Sequence, residues 1–372
     1  MQSGWLQQFW QGRAGRGTGD GDEAKGVSRR EFLQGSVAAG VTAGLAAQAT
    51  AAAVSAAPSP AAPGDQATTP IGPPWWPSRW GATDEAGASN LMTPENVLRV
   101  LPLIRTGRIF ELGRVYEAAM PLFGARIFGL RIPGTPTGGP LGANGLIYHD
   151  EFLATEIGQV GTQFDGLGHI GCRAGRDGDM NEMRFYNGFT ETEIANAYGL
   201  QKLGIQNCKP FFTRGILVDV AGAKGGMLDK GYEVTLADVR EALARVGVDE
   251  ASIQPGDGIF FNTGWGGLWM KDNDRFNSGE PGIGLEVARW VVGKQAALVG
   301  ADTWATEVVP NPDPNLAFVV HQELLTKNGI YNHENLDFGE LIAAGVHEFV
   351  YVFAPMRIKG ATGSAGRPIA LA

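Results

Sequence analysis

The sequence predicts a layered α/β domain, and three observations carry that prediction. From about residue 215 onward, short apolar runs alternate with capped amphipathic segments, the pattern of strands and helices stacked in layers. The chain has 372 residues with 44% hydrophobic content, enough to bury one large core or two modest ones. Its 55 glycines favour turns over a helical bundle, and no period of about 20 to 50 residues repeats, which excludes a solenoid.

Residues 1–57 read as an export segment. Ser28-Arg29-Arg30-Glu31-Phe32-Leu33-Gln34-Gly35 is a twin-arginine signature, followed by an Ala/Gly/Val stretch with small-residue cleavage sites up to Ala57. That stretch is too weakly hydrophobic for a stable membrane anchor. The expectation is a Tat signal peptide, the Tat export machinery as partner, and a periplasmic or secreted protein. Residues 58–77 form a Pro/Ala-rich linker, and the folded domain spans 78–372. Trp75, Trp76 and Trp80 close the linker, either as a strap docked on the core or as a ligand wall.

Within the domain, Thr93-Pro94-Glu95 opens a helix whose apolar face is Val97, Leu98, Leu101 and Ile104, ending at Gly107. Pro133 to Gly145 is dense in Gly and Pro and reads as a loop bordering the site. Thr190 and Glu193 form a capping box for a helix to Tyr198. Gly215 to Val220, Gly258 to Asn262, Ala297 to Gly300 and Glu348 to Phe353 read as strands. Thr235 to Val246, Leu285 to Val292 and Phe338 to Ala344 read as helices. Asp219, Asn262, Thr263 and Asp302 fall at strand ends, where α/β folds place binding groups.

Net charge is −9 and no Lys/Arg run occurs, which argues against nucleic acid as a partner and leaves a small molecule. Two cysteines, Cys172 and Cys208, are too few for a zinc ribbon; whether they pair is open. A G-x-S-x-G elbow, an H-E-x-x-H pair and a P-loop are all absent.

The chemistry concentrates in Gly158 to Gly171. An extended backbone there puts Gln159, Gln163 and Asp165 on one face, with His169 four residues beyond Asp165. Amides, a carboxylate and an imidazole suit a metal ion with a base beside it. A hydrogen-bonded glycine-rich turn is the other reading of the same residues. Gly166, Gly168 and Gly171 spell G-x-G-x-x-G, but no apolar strand precedes them and a polar loop follows, so a dinucleotide site is rejected. Elsewhere His321 and Glu334 add further acid–base groups, while His347, at the start of the last strand, reads as structural.

These residues resemble the cyclase family, which includes bacterial arylformamidases (kynurenine formamidases) and isatin hydrolase. Its motif H-x-G-T-H-x-D-x-P-x-H stands position by position over Gln159-Val160-Gly161-Thr162-Gln163-Phe164-Asp165-Gly166-Leu167-Gly168-His169. Trp80 to Asn90, Asn262-Thr263-Gly264-Trp265, Val299 to Thr303, and His321 with Leu324, Leu325, Ile330 and Glu334 to Leu336 are similar to further family patterns. The resemblance implies a swivelling β/β/α-type single domain with mixed sheets flanked by helices, and a homo-oligomer, dimer or tetramer. It implies Asp165, His321, Gln163 and Gln159 as metal ligands, and His169 and Glu334 as catalytic acid–base residues. It implies a divalent metal, manganese or zinc ahead of magnesium or calcium, and Trp265 and Trp80 as substrate walls. The implied activity is hydrolysis of an amide, lactam or lactone bond in a small substrate, aromatic or cyclic among the options. The chain departs from the motif where Gln159 and Gln163 replace histidines, because an amide oxygen is a weaker zinc ligand than imidazole. That departure leaves open a single ion, recruitment of His149, or an exported binding or scaffold protein that has lost its metal.

Overall fold

A computed structural model describes residues 69–174 and 179–372. The export segment and the first part of the linker lie outside the described residues. No helix among the described residues is long and apolar enough to cross a membrane.

The domain is α/β, as expected, with a nine-stranded mixed sheet at its centre. In spatial order the strands are Ile109–Glu111, Ile369–Leu371, Glu348–Phe353, Phe211–Asp219, Gly258–Asn262, Leu298–Ala301, Tyr331–Glu334, Gln163–Asp165 and Gly363–Ala365. The middle four, from Phe211–Asp219 to Tyr331–Glu334, run parallel. Their neighbours on either side, Glu348–Phe353 and Gln163–Asp165, are antiparallel. Parallel strands need helical crossovers, and the helices Leu236–Arg245 and Leu285–Gly293 supply two of them. Both bury one stripe, Val239, Ala242 and Leu243 in the first and Val287, Ala288 and Val291 in the second.

Local chemistry sets many element boundaries. Thr93, Thr190 and Thr235 each accept a first-turn N–H and cap their helices, the last two in full capping boxes. Strands Gly258–Asn262 and Glu348–Phe353 have the bounds read from the sequence.

Four local expectations are corrected. The helix that Thr190 opens ends at Ile194, short of Tyr198. The first helix stops at Val100, where Pro102 removes a donor, and its inward residues are Asn96 and Val100; Leu98 is 66% exposed and Leu101 43%. Asn96 turns inward because its amide donates to Thr213 Oγ1 at 3.1 Å. Part of the Pro133–Gly145 loop is a hairpin, with strand Gly138–Leu141 pairing Leu146–Tyr148. The polar strand ends hold turns together instead of a ligand. Asp302 accepts from the backbone N–H groups of Thr263 (2.9 Å) and Gly266 (3.0 Å), and Asp219 accepts from Gly222 N and Asn262 Nδ2.

The tryptophan segment is a strap. Trp75 Nε1 donates to Phe185 O at 3.0 Å, and Trp76 lies against Gly188. Cys172 and Cys208 are both buried and unpaired.

Candidate metal centre

The site forms where the sheet changes polarity. Tyr331–Glu334, the last parallel strand, pairs antiparallel with Gln163–Asp165 in the register Asn332↔Asp165, His333↔Phe164 and Glu334↔Gln163. Alternation then puts Gln163, Asp165, Asn332 and Glu334 on one face, and Phe164 and His333 on the other. The second face is core. The Phe164 ring stacks on Tyr331 at 5.2 Å and meets Phe211 and Phe353. On the next strand Gly363 pairs with Asp165 and Ala365 with Gln163, so small residues flank the polar row. A Cβ at Gly363 would meet Gly158 O at 2.7 Å and Gln159 Nε2 at 3.0 Å, which is why the backbone there is glycine.

The third contributor arrives on a helix. Val319–His321 begins it, and Gln322–Lys327 continues it with π geometry. His321 Nε2 lies 3.1 Å from Glu334 Oε1 and 3.6 Å from Asp165 Oδ2. Donor atoms of Asp165, His321 and Glu334 all fall within 4.8 Å of one another, and all three side chains are buried. His169 stands at the rim, its Nε2 3.9 Å from Asp165 Oδ1.

Burial sets the charge states. At Asp165 it opposes ionisation, but His169, His321 and the Asn332 amide outweigh it and hold the pKa below the ordinary value. At Glu334 burial and the Asp165 charge push the pKa up to about 7. Glu280, also fully buried, is pushed well up by burial and by Glu334, although Trp304 N and Ala305 N donate to it. Burial lowers His169, so its imidazole is neutral at neutral pH and free to accept a proton.

This donor set fits a divalent cation. Asp165, Glu280, Glu307 and Glu334 bring four buried carboxylates to the neighbourhood of two imidazoles. Buried carboxylate without matching positive charge is costly, and a dication offsets it. Among the described residues Asp165 Oδ1 has no hydrogen-bond partner. A buried acceptor left open toward the His169 imidazole, beside the His321–Glu334 pair, is what a ligand atom looks like without its ion.

The two glutamines take different positions. Gln163 Nε2 donates to Glu334 Oε2, orienting that carboxylate. Gln159 lies on a bend, outside the strand. Its Oε1 accepts from Arg126 at 3.4 Å, and its buried Nε2 has no hydrogen-bond partner among the described residues. His149 is exposed beside the 138–148 hairpin and does not join the cluster.

The cleft over the cluster has a volume of about 140 Å³. Phe123, Trp304, Phe318 and Ile170 wall it, with Arg126, Gln163, His169, His321 and Glu334 as its polar lining. Phe123 stacks on Trp304 with centroids 4.4 Å apart. Arg126 lies over Phe123 at 5.6 Å. The expected substrate walls Trp265 and Trp80 are not here. Trp265 is fully buried, its Nε1 bound to Phe276 O, and supports Trp304, whose Nε1 shares that carbonyl. Trp80 lines a separate cavity of about 280 Å³ beside Trp75, Arg79 and Tyr186. A larger apolar cavity, about 660 Å³, is walled by Phe128, Leu130, Leu153 and Val160 and contains no member of the cluster. The chemistry therefore belongs to the small cleft.

Sequence reasoning passed over Asn332, Glu280, Glu307, Phe123, Arg126, Trp304 and Phe318. Only Asn332 carried a signal, because alternation along Tyr331–Glu334 places it beside Glu334.

Fold and cluster together define the class: an α/β protein with a buried carboxylate–imidazole centre suited to a divalent cation. The chain belongs to the Cyclase family, whose description "Putative cyclase" matches residues 110–308, more than half of the chain. A crystal structure of a novel cyclase is 32% identical, with a TM-score of 0.69, covering 79% of this chain and 96% of that one. Isatin hydrolase A from Ralstonia solanacearum shares the fold at 18% identity and a TM-score of 0.52, covering 71% of this chain and 91% of that one. Isatin hydrolase A from Labrenzia aggregata, solved with benzyl benzoate, does so at 19% identity and a TM-score of 0.51, covering 71% and 93%. No curated protein matches the chain.

Proposed function

We propose that the chain is a metal-dependent hydrolase that opens the C–N bond of an amide or lactam, or a lactone C–O bond, in a small flat substrate. The observation that carries this reading is the buried Asp165–His321–Glu334 cluster at the floor of an aromatic cleft with His169 at its rim. Asp165, His321 and Glu334 would hold the ion. An oxygen-rich set with one imidazole suits manganese or zinc, with magnesium or calcium as harder alternatives. When bound, such an ion polarises a carbonyl and lowers the pKa of water.

The chain's own groups do the rest. Phe123, Trp304 and Phe318 exclude water and stack on a flat ring. Arg126 donates toward the substrate's carbonyl or anionic group. Neutral His169 takes a proton from the attacking water. The water oxygen bonds to the carbonyl carbon, the C–N or C–O bond breaks, and His169 returns the proton to the leaving nitrogen or oxygen. The twin-arginine segment supports export of the protein in its folded, loaded state.

A metal-free binding protein is the lesser reading. Its mark would be an arginine paired with Asp165, and among the described residues Asp165 meets His169, His321 and Asn332 instead. The test is metal content by mass spectrometry on protein purified without chelator, wild type beside Asp165→Ala. The ion found is then used in a screen of N-formyl anilides, lactams and lactones. About one equivalent, lost in the variant, with turnover of one of these classes, is the expected result. Wild-type protein that takes up no added manganese or zinc overturns the proposal.

A further inference from the structure

A single turn, Trp304 to Glu307, contacts three buried residues in and around the metal cluster: Glu280, Asn332 and His321. Trp304 N and Ala305 N donate to Glu280 at 2.8 and 2.9 Å. Thr306 Oγ1 donates to Asn332 Oδ1 at 2.7 Å. Because that oxygen is occupied, the Asn332 nitrogen must face Asp165 Oδ2 (3.2 Å) and Glu334 Oε1 (2.7 Å). Glu307 Oε1 lies 2.6 Å from His321 Nδ1.

Glu307 is an acceptor surrounded by donors. Its oxygens also take the backbone N–H groups of Val320 (3.2 Å) and His321 (3.0 Å), at the start of the helix that carries His321. Three N–H groups therefore converge on one carboxylate, and the His321 ring proton must sit on Nδ1. Nε2 is then the ring atom that faces Asp165 and Glu334. The backbone is distorted to achieve this: Thr306, a β-branched residue, has φ 61. Such a conformation is strained and persists where the surrounding structure holds it in place.

We infer that Glu307 is the positioning residue of the metal centre: it fixes His321 as an Nε2 donor by holding both its ring and its helix end. This inference rests on the metal-dependent reading of the site. It goes beyond that reading by assigning a role to a carboxylate that touches neither ion nor substrate. Glutamine at position 307 can still accept one N–H with its oxygen, but its amide nitrogen cannot accept another. The ring or the backbone then loses its partner, or the imidazole takes the wrong tautomer.

The test is manganese binding by titration calorimetry on four full-length proteins: wild type, Glu307→Gln, His321→Ala and the double variant. Glu307→Gln is expected to weaken binding by about 10- to 100-fold in the wild-type background. In the His321→Ala background it is expected to change binding by less than about twofold, because its effect passes through the ring. The fall in Tm is expected to be smaller in the His321→Ala background, where only the contact to the helix end is left to lose. Equal affinity losses in both backgrounds, or none in either, overturn the inference while leaving the metal site intact. A wild type that binds no metal overturns both. Should Glu307→Gln fail to fold, long-range proton–nitrogen NMR of zinc-loaded wild type decides. A ring proton on His321 Nδ1 is expected, and one on Nε2 refutes the assignment.

Discussion

Asn332 stands directly across the sheet from Asp165, and its amide nitrogen bridges Asp165 Oδ2 and Glu334 Oε1. One neutral donor thus bridges two carboxyl groups and offsets their repulsion in a buried site. Replacing it should loosen the cluster without removing a ligand. For Asn332→Ala, divalent-ion affinity by calorimetry should fall about 10- to 100-fold. The freed Thr306 hydroxyl adds about 1–3 kcal/mol of destabilisation, read from denaturant unfolding.

His169 differs from the cluster residues because it stands at the rim and is held neutral by burial. His169→Ala should lower kcat by about 10²–10⁴-fold. Metal content should stay at the wild-type value. Parallel loss of metal in this variant would make His169 a ligand instead of a base.

The pKa of Glu334 is raised to about 7 by burial and by Asp165. Between the unfolded value and about 7 the native state binds a proton that the unfolded chain does not. Metal-free protein should therefore lose stability as pH rises through that window, at up to about 1.4 kcal/mol per pH unit from this group. Below the unfolded value the contribution is complete. Unfolding free energies of wild type minus Glu334→Gln, measured from pH 4 to 8, isolate it. A flat difference would mean that Glu334 titrates normally.

Phe164 lies behind the site, between Asp165 and Gln163 in sequence, and is fully buried against Tyr331, Phe211 and Phe353. Phe164→Ala should cost about 3–5 kcal/mol of stability by chemical denaturation. Its loss should also widen the spacing of the two ligand-bearing strands, so metal affinity should fall although no polar group changes.

Much of the fold was legible because its signals are local. Threonine caps at 93, 190 and 235, and the apolar runs of Gly258–Asn262 and Glu348–Phe353, depend on neighbours within a few residues. The orientation of the Pro94–Val100 helix was not, because Asn96 is drawn inward by Thr213, more than a hundred residues away. The hairpin at Gly138–Leu141 was hidden by its own glycines and prolines.

The site divides along the same line. Through its resemblance to the family motif, the sequence by itself pointed to Asp165, His169, His321 and Glu334 as the candidate site residues. Alternation also settled that Gln163 and Asp165 share a face. Tertiary structure alone decided the rest. The antiparallel register put Asn332 between two carboxylates. The 304–307 turn brought Glu307 to His321. Trp304, not Trp265 or Trp80, became the cleft wall. Each of these is a contact between segments far apart in the chain, and strand registry and helix docking, which no local pattern records, are what set them.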